Sequence, residues 1–288
     1  MPAGDSAGND VGGIRDFSDS GADSGVFDVV LGGYEAVYEA LPNASMFNRL
    51  WRENAYGGKF PIGFAHIGFL TAAEAQRMLA LLDLGAGNVV VDVACGAGGP
   101  GLWVIQQSGA TLIGVDPATA GVAAARERAR RVGLEERARF VEGTFERTGL
   151  SPGTADAVMT IEAFQYAPDK RAALGEFFRI LKPNGRLAII CFEVDPAKVD
   201  GVPVLGADPI ADYTPSLEAA GFTIDVCEET PGWADRVYPT FEAVIAANEA
   251  LRAEMGDRAA EGVLSEAQVT VALRPYRRRV LMVARRLS

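Results

Sequence analysis

The chain has 288 residues, enough for one large α/β domain or for a domain of about 200 residues under a helical lid, so a second full domain is not required. Its composition, 49% hydrophobic and 23% charged, fits a soluble globular protein, and no apolar run approaches the roughly 20 residues of a membrane helix. A net charge of -11 repels polyanions and argues against nucleic acid as a substrate. Arginines gather only over 126–139 and 274–286, where spacing along a helix and a closing strand reads as solvated faces rather than a phosphate site.

Residues 1–25 are rich in Gly, Ser, Asp and Ala and cannot bury enough apolar surface to order themselves, so a disordered tail is expected there. Residues 26–69 carry scattered aromatics, including Trp51 and Phe64, in short helical stretches broken by Pro42, Gly57, Gly58 and Pro61. This is the pattern of a cap, and 70–288 is the main domain beneath it. Thr71 with Glu74 three residues on is a capping box that opens a helix to Leu84. The run Val89–Val91, β-branched and too short for a helix, reads as a buried parallel strand.

Elements then alternate: helix 102–108, strand 111–115, helix 118–132, strands 138–141 and 157–161, helix 170–181 and strand 186–192. After these come a helix over 209–220, a strand 223–227, two helices within 239–270 and a closing strand 279–284. Seven strands interleaved with helices imply a doubly wound, mostly parallel sheet.

Cys95, Cys191 and Cys227 lie far apart with no CxxC pair and no secretory signal precedes them, which points to a reduced, cytoplasmic protein. With His66 the only histidine, no ligand spacing supports a metal, and none is expected.

The chemistry concentrates in Val91–Gly101, a strand running into a glycine-rich turn and then a helix. Gly96, Gly98 and Gly101 satisfy G-x-G-x-x-G, and Asp116 lies where a dinucleotide site has its ribose acid, so the glycines alone admit NAD as well as S-adenosylmethionine (SAM). Asp92 separates the two: a carboxylate on a buried strand costs several kcal/mol without a donor or cation, and dinucleotide fingerprints usually keep that strand apolar.

Asp92-x-x-Cys95-Gly96-x-Gly98 resembles motif I of the class I SAM-dependent methyltransferases, in which the acidic residue helps hold the methionine end of the cofactor. The resemblance continues through Gly114-Val115-Asp116, whose carboxylate would accept both ribose hydroxyls, and Gly143-Thr144-Phe145, beside adenine. It extends through Glu162 to Asp169 after the fourth strand and Arg179 to Gly185 before the fifth, covering roughly residues 70–192. It implies a Rossmann-like α/β fold with an N-terminal helical cap, SAM as cofactor, and Asp92, Ala94, Gly96, Gly98, Asp116, Pro117, Thr144 and Phe145 around it. The Cys95-Gly-x-Gly-Gly-Pro100 variant is similar to that of small-molecule, natural-product methyltransferases.

Two positions depart from that pattern: Thr144 stands where many relatives have Asp, and Gln165 where a histidine is common. Gln165 cannot serve as a general base. If the acceptor needs one, His66 has a near-neutral reference pKa and Glu162 sits at a strand's carboxyl end. Trp51, Phe64, Gln165 and Tyr166 are the candidate acceptor contacts.

The expected activity is methyl transfer to O, N or C of a small, largely apolar metabolite, with no nucleic-acid or membrane partner and a cap whose exposed faces could pair two copies as a homodimer. An alternative keeps SAM as a structural ligand and runs a pericyclic or isomerising step. An NAD oxidoreductase would need a hydride-chemistry set such as Tyr-x-x-x-Lys, and a prenyl-diphosphate C-methyltransferase a cationic clamp for which only Arg49, Arg52 and Lys59 offer themselves.

Overall fold

A computed structural model describes residues 23–56, 60–199 and 209–287. Most of the expected tail, together with Gly57, Gly58 and Lys59, therefore lies outside the described residues, and residues 23–25 already belong to the first helix, α1 (Asp23–Ala40).

The strands β1 (Val89–Val93), β2 (Thr111–Asp116), β3 (Ala138–Glu142), β4 (Ala155–Ile161), β5 (Leu181–Val194), β6 (Phe222–Glu229) and β7 (Arg277–Arg286) form one sheet in the order β3-β2-β1-β4-β5-β7-β6. All are parallel except β7, which runs antiparallel to both β5 and β6. Alternate residues feed opposite faces: Val90 enters the core with α3 (Ala72–Leu82), α4 (Gly99–Ser108) and α5 (Thr119–Arg131), whereas Val91 and Val93 enter that with α6 (Lys170–Ile180) and α7 (Thr214–Ala219). Burial on both faces is why these strands read as continuous apolar runs. The chain order reverses at β1, so the carboxyl ends of β1 and β4 flank a crevice, the place where open sheets of this kind bind ligands.

Over that crevice sits a cap built from both ends of the chain. Its N-terminal part is α1 and α2 (Ser45–Leu50), the latter running into a π-helical turn at Trp51–Ala55. The rest comes from α8 (Ala234–Ala246), α9 (Asn248–Met255) and α10 (Asp257–Ala272), which pack on these N-terminal elements. The expected cap of residues 26–69 is thus half of the observed one. Gly33 and Gly262 let α1 and α10 approach: a Cβ at Gly262 would lie 3.2 Å from the Cα of Gly33. Glu254 of α9 accepts from the N–H groups of Met46 and Phe47 (3.0 and 3.3 Å), capping α2, and Glu35 of α1 accepts from Ala120 N (3.0 Å), capping α5. The region 239–270 holds the second half of α8, all of α9 and most of α10 rather than two helices, because α8 starts before Pro239 and Gly256, at φ +79°, breaks α9 from α10.

Among the described residues no helix is long and apolar enough to cross a membrane, and no group of three or more His, Cys, Asp or Glu side chains is placed to hold a metal ion.

Candidate functional site

The glycine-rich turn is shaped by strain accepted locally. Ala94 leaves β1 with φ +59°, Gly96 and Gly98 follow at +51° and +74°, and Gly98 caps the N-terminus of α4. Left-handed backbone at a non-glycine residue costs of order 1–3 kcal/mol and concentrates at ligand sites. Asp116, at the end of β2, fixes the turn: its Oδ2 accepts from Gly96 N (2.7 Å) and its Oδ1 from Ala118 N (2.8 Å). Each oxygen keeps a free lone pair.

Two adjoining cavities border this turn. One, of about 120 Å³, is lined by Ala94, Asp116, Pro117, Phe145, Glu162, Gln165 and others. The second, of about 90 Å³, is lined by Asp92, Ala94, Gly96, Pro100, His66, Arg128 and others. Tyr38 lines both, and a Cβ at Gly96 would lie 2.2 Å from its hydroxyl. Gly98 and Thr144, expected to meet the cofactor, line neither. A Cβ at Gly98 would lie 2.9 Å from the Phe140 ring, so its role is packing, and the Thr144 hydroxyl accepts from Arg147 N (3.2 Å) within its own turn.

Burial pushes the Asp92 carboxyl well above the usual carboxylate range, with the neighbouring Asp116 adding to the shift. Burial likewise raises Asp116 to about 6 against the pull of its two N–H donors. The counter-charge in the second cavity is Arg128 of α5, brought down to about 10 by burial and then by Arg131. Its Nη1 donates to the Ala65 carbonyl, and its Nε is buried with no partner. Arg128 belongs to a run that looks solvated in sequence. Only the fold of the cap over α5 turns it inward.

These residues suit SAM. The pair of lone pairs on Asp116 matches two ribose hydroxyls, Phe145 offers an apolar wall for a base, and the orphaned Arg128 donor matches an amino-acid carboxylate. The group supplies an electrophilic methyl on a sulfonium when bound.

The two expected bases turn out otherwise. His66 accepts from Gly68 N at Nδ1 (3.1 Å) and pairs Nε2 with the Leu70 carbonyl (3.1 Å), leaving no free ring nitrogen. Burial lowers its pKa to about 3, so it stays neutral and braces the turn that enters α3. Glu162, at φ +55°, accepts from Arg279 Nε (2.6 Å) and from the Phe69 N–H. Arg279, fully buried, also donates through Nη1 to Glu74 (2.7 Å) and Thr230 (2.8 Å), and Arg236 reaches Glu74 at 2.8 Å. Glu162 lines the first cavity, but as a paired carboxylate locking the β4 loop to β7 and to the cap's base. It is a strut in the wall rather than a free proton acceptor.

Beyond the first cavity, between α1 and α10, lies a chamber of about 420 Å³. Its walls include Val30, Val37, Phe47, Trp51, Ile67 and Val263. Trp51 lines it, its buried indole N–H without a partner. Phe64 lines none of the three cavities: it is buried at the start of α4, its carbonyl 2.4 Å from where a Gly99 Cβ would sit. Gln165 lines the first cavity, donates to the Glu162 carbonyl (2.7 Å) and leaves its Oε1 buried and unpaired. Tyr166 lines both the first cavity and the chamber. Its hydroxyl donates to Glu266 (2.8 Å), a residue with no signal in the sequence beyond its place in a helix.

Residues 91–189 match the model of a family described as a methyltransferase domain. The chain is 28% identical over 217 residues to the methyltransferase GfsG of Streptomyces halstedii, spanning 69% of this chain and 78% of that one. It is 24% identical over 212 residues to the 27-O-demethylrifamycin SV methyltransferase of Amycolatopsis mediterranei (strain S699), spanning 68% and 77%. Its fold is similar to that of the [4+2]-cyclase SpnF, with a TM-score of 0.70 at 22% identity over 88% of this chain and 93% of that one.

Proposed function

We propose, starting from the premise that this chain belongs to the class I SAM-dependent methyltransferases, that its acceptor is a small, largely apolar metabolite of natural-product type seated between α1 and α10. The observation that carries this is the 420 Å³ apolar chamber sharing Tyr34, Ile67, Tyr166 and Glu266 with the cavity that Asp116 borders. An acceptor there would sit beside the cofactor, and alignment within about 3 to 3.5 Å is most of what methyl transfer asks of a protein. The unpartnered Trp51 N–H suits a carbonyl of such a molecule. Relatives named for 27-O-demethylrifamycin SV and for sterols support an acceptor of this class. Three free cysteines suit the reducing cytoplasm, and the charge of -11 disfavours nucleic acid.

Within the cofactor site, Asp116 takes the ribose, Ala94, Pro117 and Phe145 flank the nucleoside, and Asp92, Gly96 and Arg128 surround the methionine end. Arg128 is the carboxylate partner. Calorimetric titration tests both levels. SAM and S-adenosylhomocysteine (SAH) should bind with micromolar affinity and NAD should not. Arg128→Met should weaken SAH about tenfold or more, the worth of a charge-assisted hydrogen bond, while leaving 5′-methylthioadenosine, which lacks the carboxylate, within threefold. Equal loss for both ligands would remove Arg128 from the carboxylate, and NAD binding alone would sink the cofactor assignment.

A further inference from the structure

Among the described residues, four acidic or basic side chains line the chamber, Asp28, Arg258, Glu261 and Glu266; the first three are exposed, and of the four only Glu266 of α10 also borders the neighbouring cavity. Its Oε1 accepts from Tyr166, in the turn after β4, at 2.8 Å, and its Oε2 from Tyr34 of α1 at 3.2 Å. Three segments distant in sequence therefore converge on one carboxylate. Each of its oxygens has used one lone pair and keeps another.

The walls decide what that carboxylate can meet. A charged acceptor would surrender its hydration to Val30, Val37, Phe47 and Ile67, whereas a neutral hydroxyl gives up far less. A carboxylate acceptor would meet three carboxylates, Asp28, Glu261 and Glu266, against the one cation Arg258, and would need no base. An ammonium has no lone pair to offer the methyl group. A hydroxyl is neutral, can donate to Glu266 and must lose its proton as it is methylated.

Resting on the methyltransferase reading above, we propose that Glu266 is the proton acceptor for a hydroxyl of an apolar acceptor seated in this chamber, with Tyr34 and Tyr166 as the positioning residues that hold its carboxylate. In the step, the acceptor oxygen forms the new O–CH3 bond and the S–CH3 bond of SAM breaks, its electron pair remaining on the sulfur of SAH. The acceptor's proton passes to Glu266. Burial raises the Glu266 carboxyl above its ordinary value, which makes it a stronger base than a solvated glutamate. Burial also raises both tyrosine hydroxyls, so they remain donors throughout. The other charges acting on Glu266 are the buried Arg277 guanidinium, seated over the Phe192 ring at 4.0 Å, which favours its anion, and Glu162, which opposes it.

The test uses SAH-loaded protein titrated calorimetrically with 4-hexylphenol, 4-hexylaniline and 4-hexylanisole, and methyl-labelled SAM to follow transfer to the phenol. The wild type should bind the phenol at least tenfold more tightly than the aniline or the anisole. Glu266→Gln should shrink that preference to within threefold and slow transfer at least 100-fold, both read on protein saturated with cofactor. The wild-type rate should fall with acidification through an apparent pKa above that of ordinary glutamate, and the residual rate of the Gln variant should lack that limb. Should Glu266→Gln lose SAH binding, Glu266→Asp carries the test: hydroxyl preference with slower transfer supports the proposal, and a wild-type rate overturns it. No preference for the phenol in the wild type, preferential binding without transfer, or a Gln variant with preference and rate intact also overturns it. A wild type that binds no SAH removes the methyltransferase reading and this proposal together.

Discussion

Asp116→Ala should weaken SAM and SAH binding by two orders of magnitude or more. The Asp116 side chain is organised before any ligand arrives, by Gly96 N at 2.7 Å and Ala118 N at 2.8 Å, and its remaining lone pairs face the cavity lined by Pro117 and Phe145. Two hydroxyls donating to an ionised carboxylate contribute about 1.5–3 kcal/mol each, so losing both exceeds about 3 kcal/mol, which is more than 100-fold. The same group gives the binding a pH dependence. Only the anion accepts from both hydroxyls, and burial has raised its pKa to about 6, so affinity should be level above pH 7 and fall with each unit below about 6. For the unliganded protein the sign is opposite. The folded pKa of about 6 lies above the unfolded value of about 3.9, so the native state holds the extra proton between them and loses stability as pH rises through that window. Wild type should therefore lose melting temperature relative to Asp116→Ala between pH 4 and 6, and bind SAH a hundredfold better at pH 8. Unchanged SAH affinity in the variant would take the ribose away from Asp116.

The part of this site legible in the sequence is the part made by neighbours in sequence. The turn at Ala94–Gly98 and its acid at Asp116 announce themselves because close backbone approach demands glycine and a carboxylate at a strand end demands a reason. The sheet is legible for the same kind of reason, since strands buried on both faces must be apolar throughout. What sequence leaves hidden depends on closure of the chain. Arg279 reads as one more arginine of a basic strand, yet it is fully buried and paired with Glu162, 117 residues earlier. Arg128 reads as a solvated helix residue until the cap closes over α5, and Glu266 gives no signal at all until α1 and α10 come together. His66 misleads for a physical reason: its reference pKa advertises a base, and burial with both nitrogens engaged abolishes one. Glu162 draws notice correctly as a carboxylate at a strand end, but its role follows from a partner that spacing cannot reveal.

That partner carries the largest stability effect expected in the chain. Arg279 is fully buried and serves Glu162 at 2.6 Å, Glu74 at 2.7 Å and Thr230 at 2.8 Å. Replacing it with methionine keeps the volume and removes the charge. Glu74 retains Arg236 at 2.8 Å, but Glu162 keeps only the Phe69 N–H, at a residue already in left-handed backbone. A buried carboxylate stripped of its cation costs about 3–5 kcal/mol, on the order of 10 °C in melting temperature for a protein of this size. Glu162→Gln in the same background should recover part of the loss, because the uncompensated charge rather than the missing bond dominates it. Chemical denaturation of the two single variants and the double variant measures the coupling directly. A loss under about 1 kcal/mol for Arg279→Met, or no recovery in the double variant, would mean that this network contributes little beyond packing. Because Glu162 also walls the cofactor cavity, Arg279→Met should weaken SAH as well, joining the stability of the β4 loop to the shape of the site it borders.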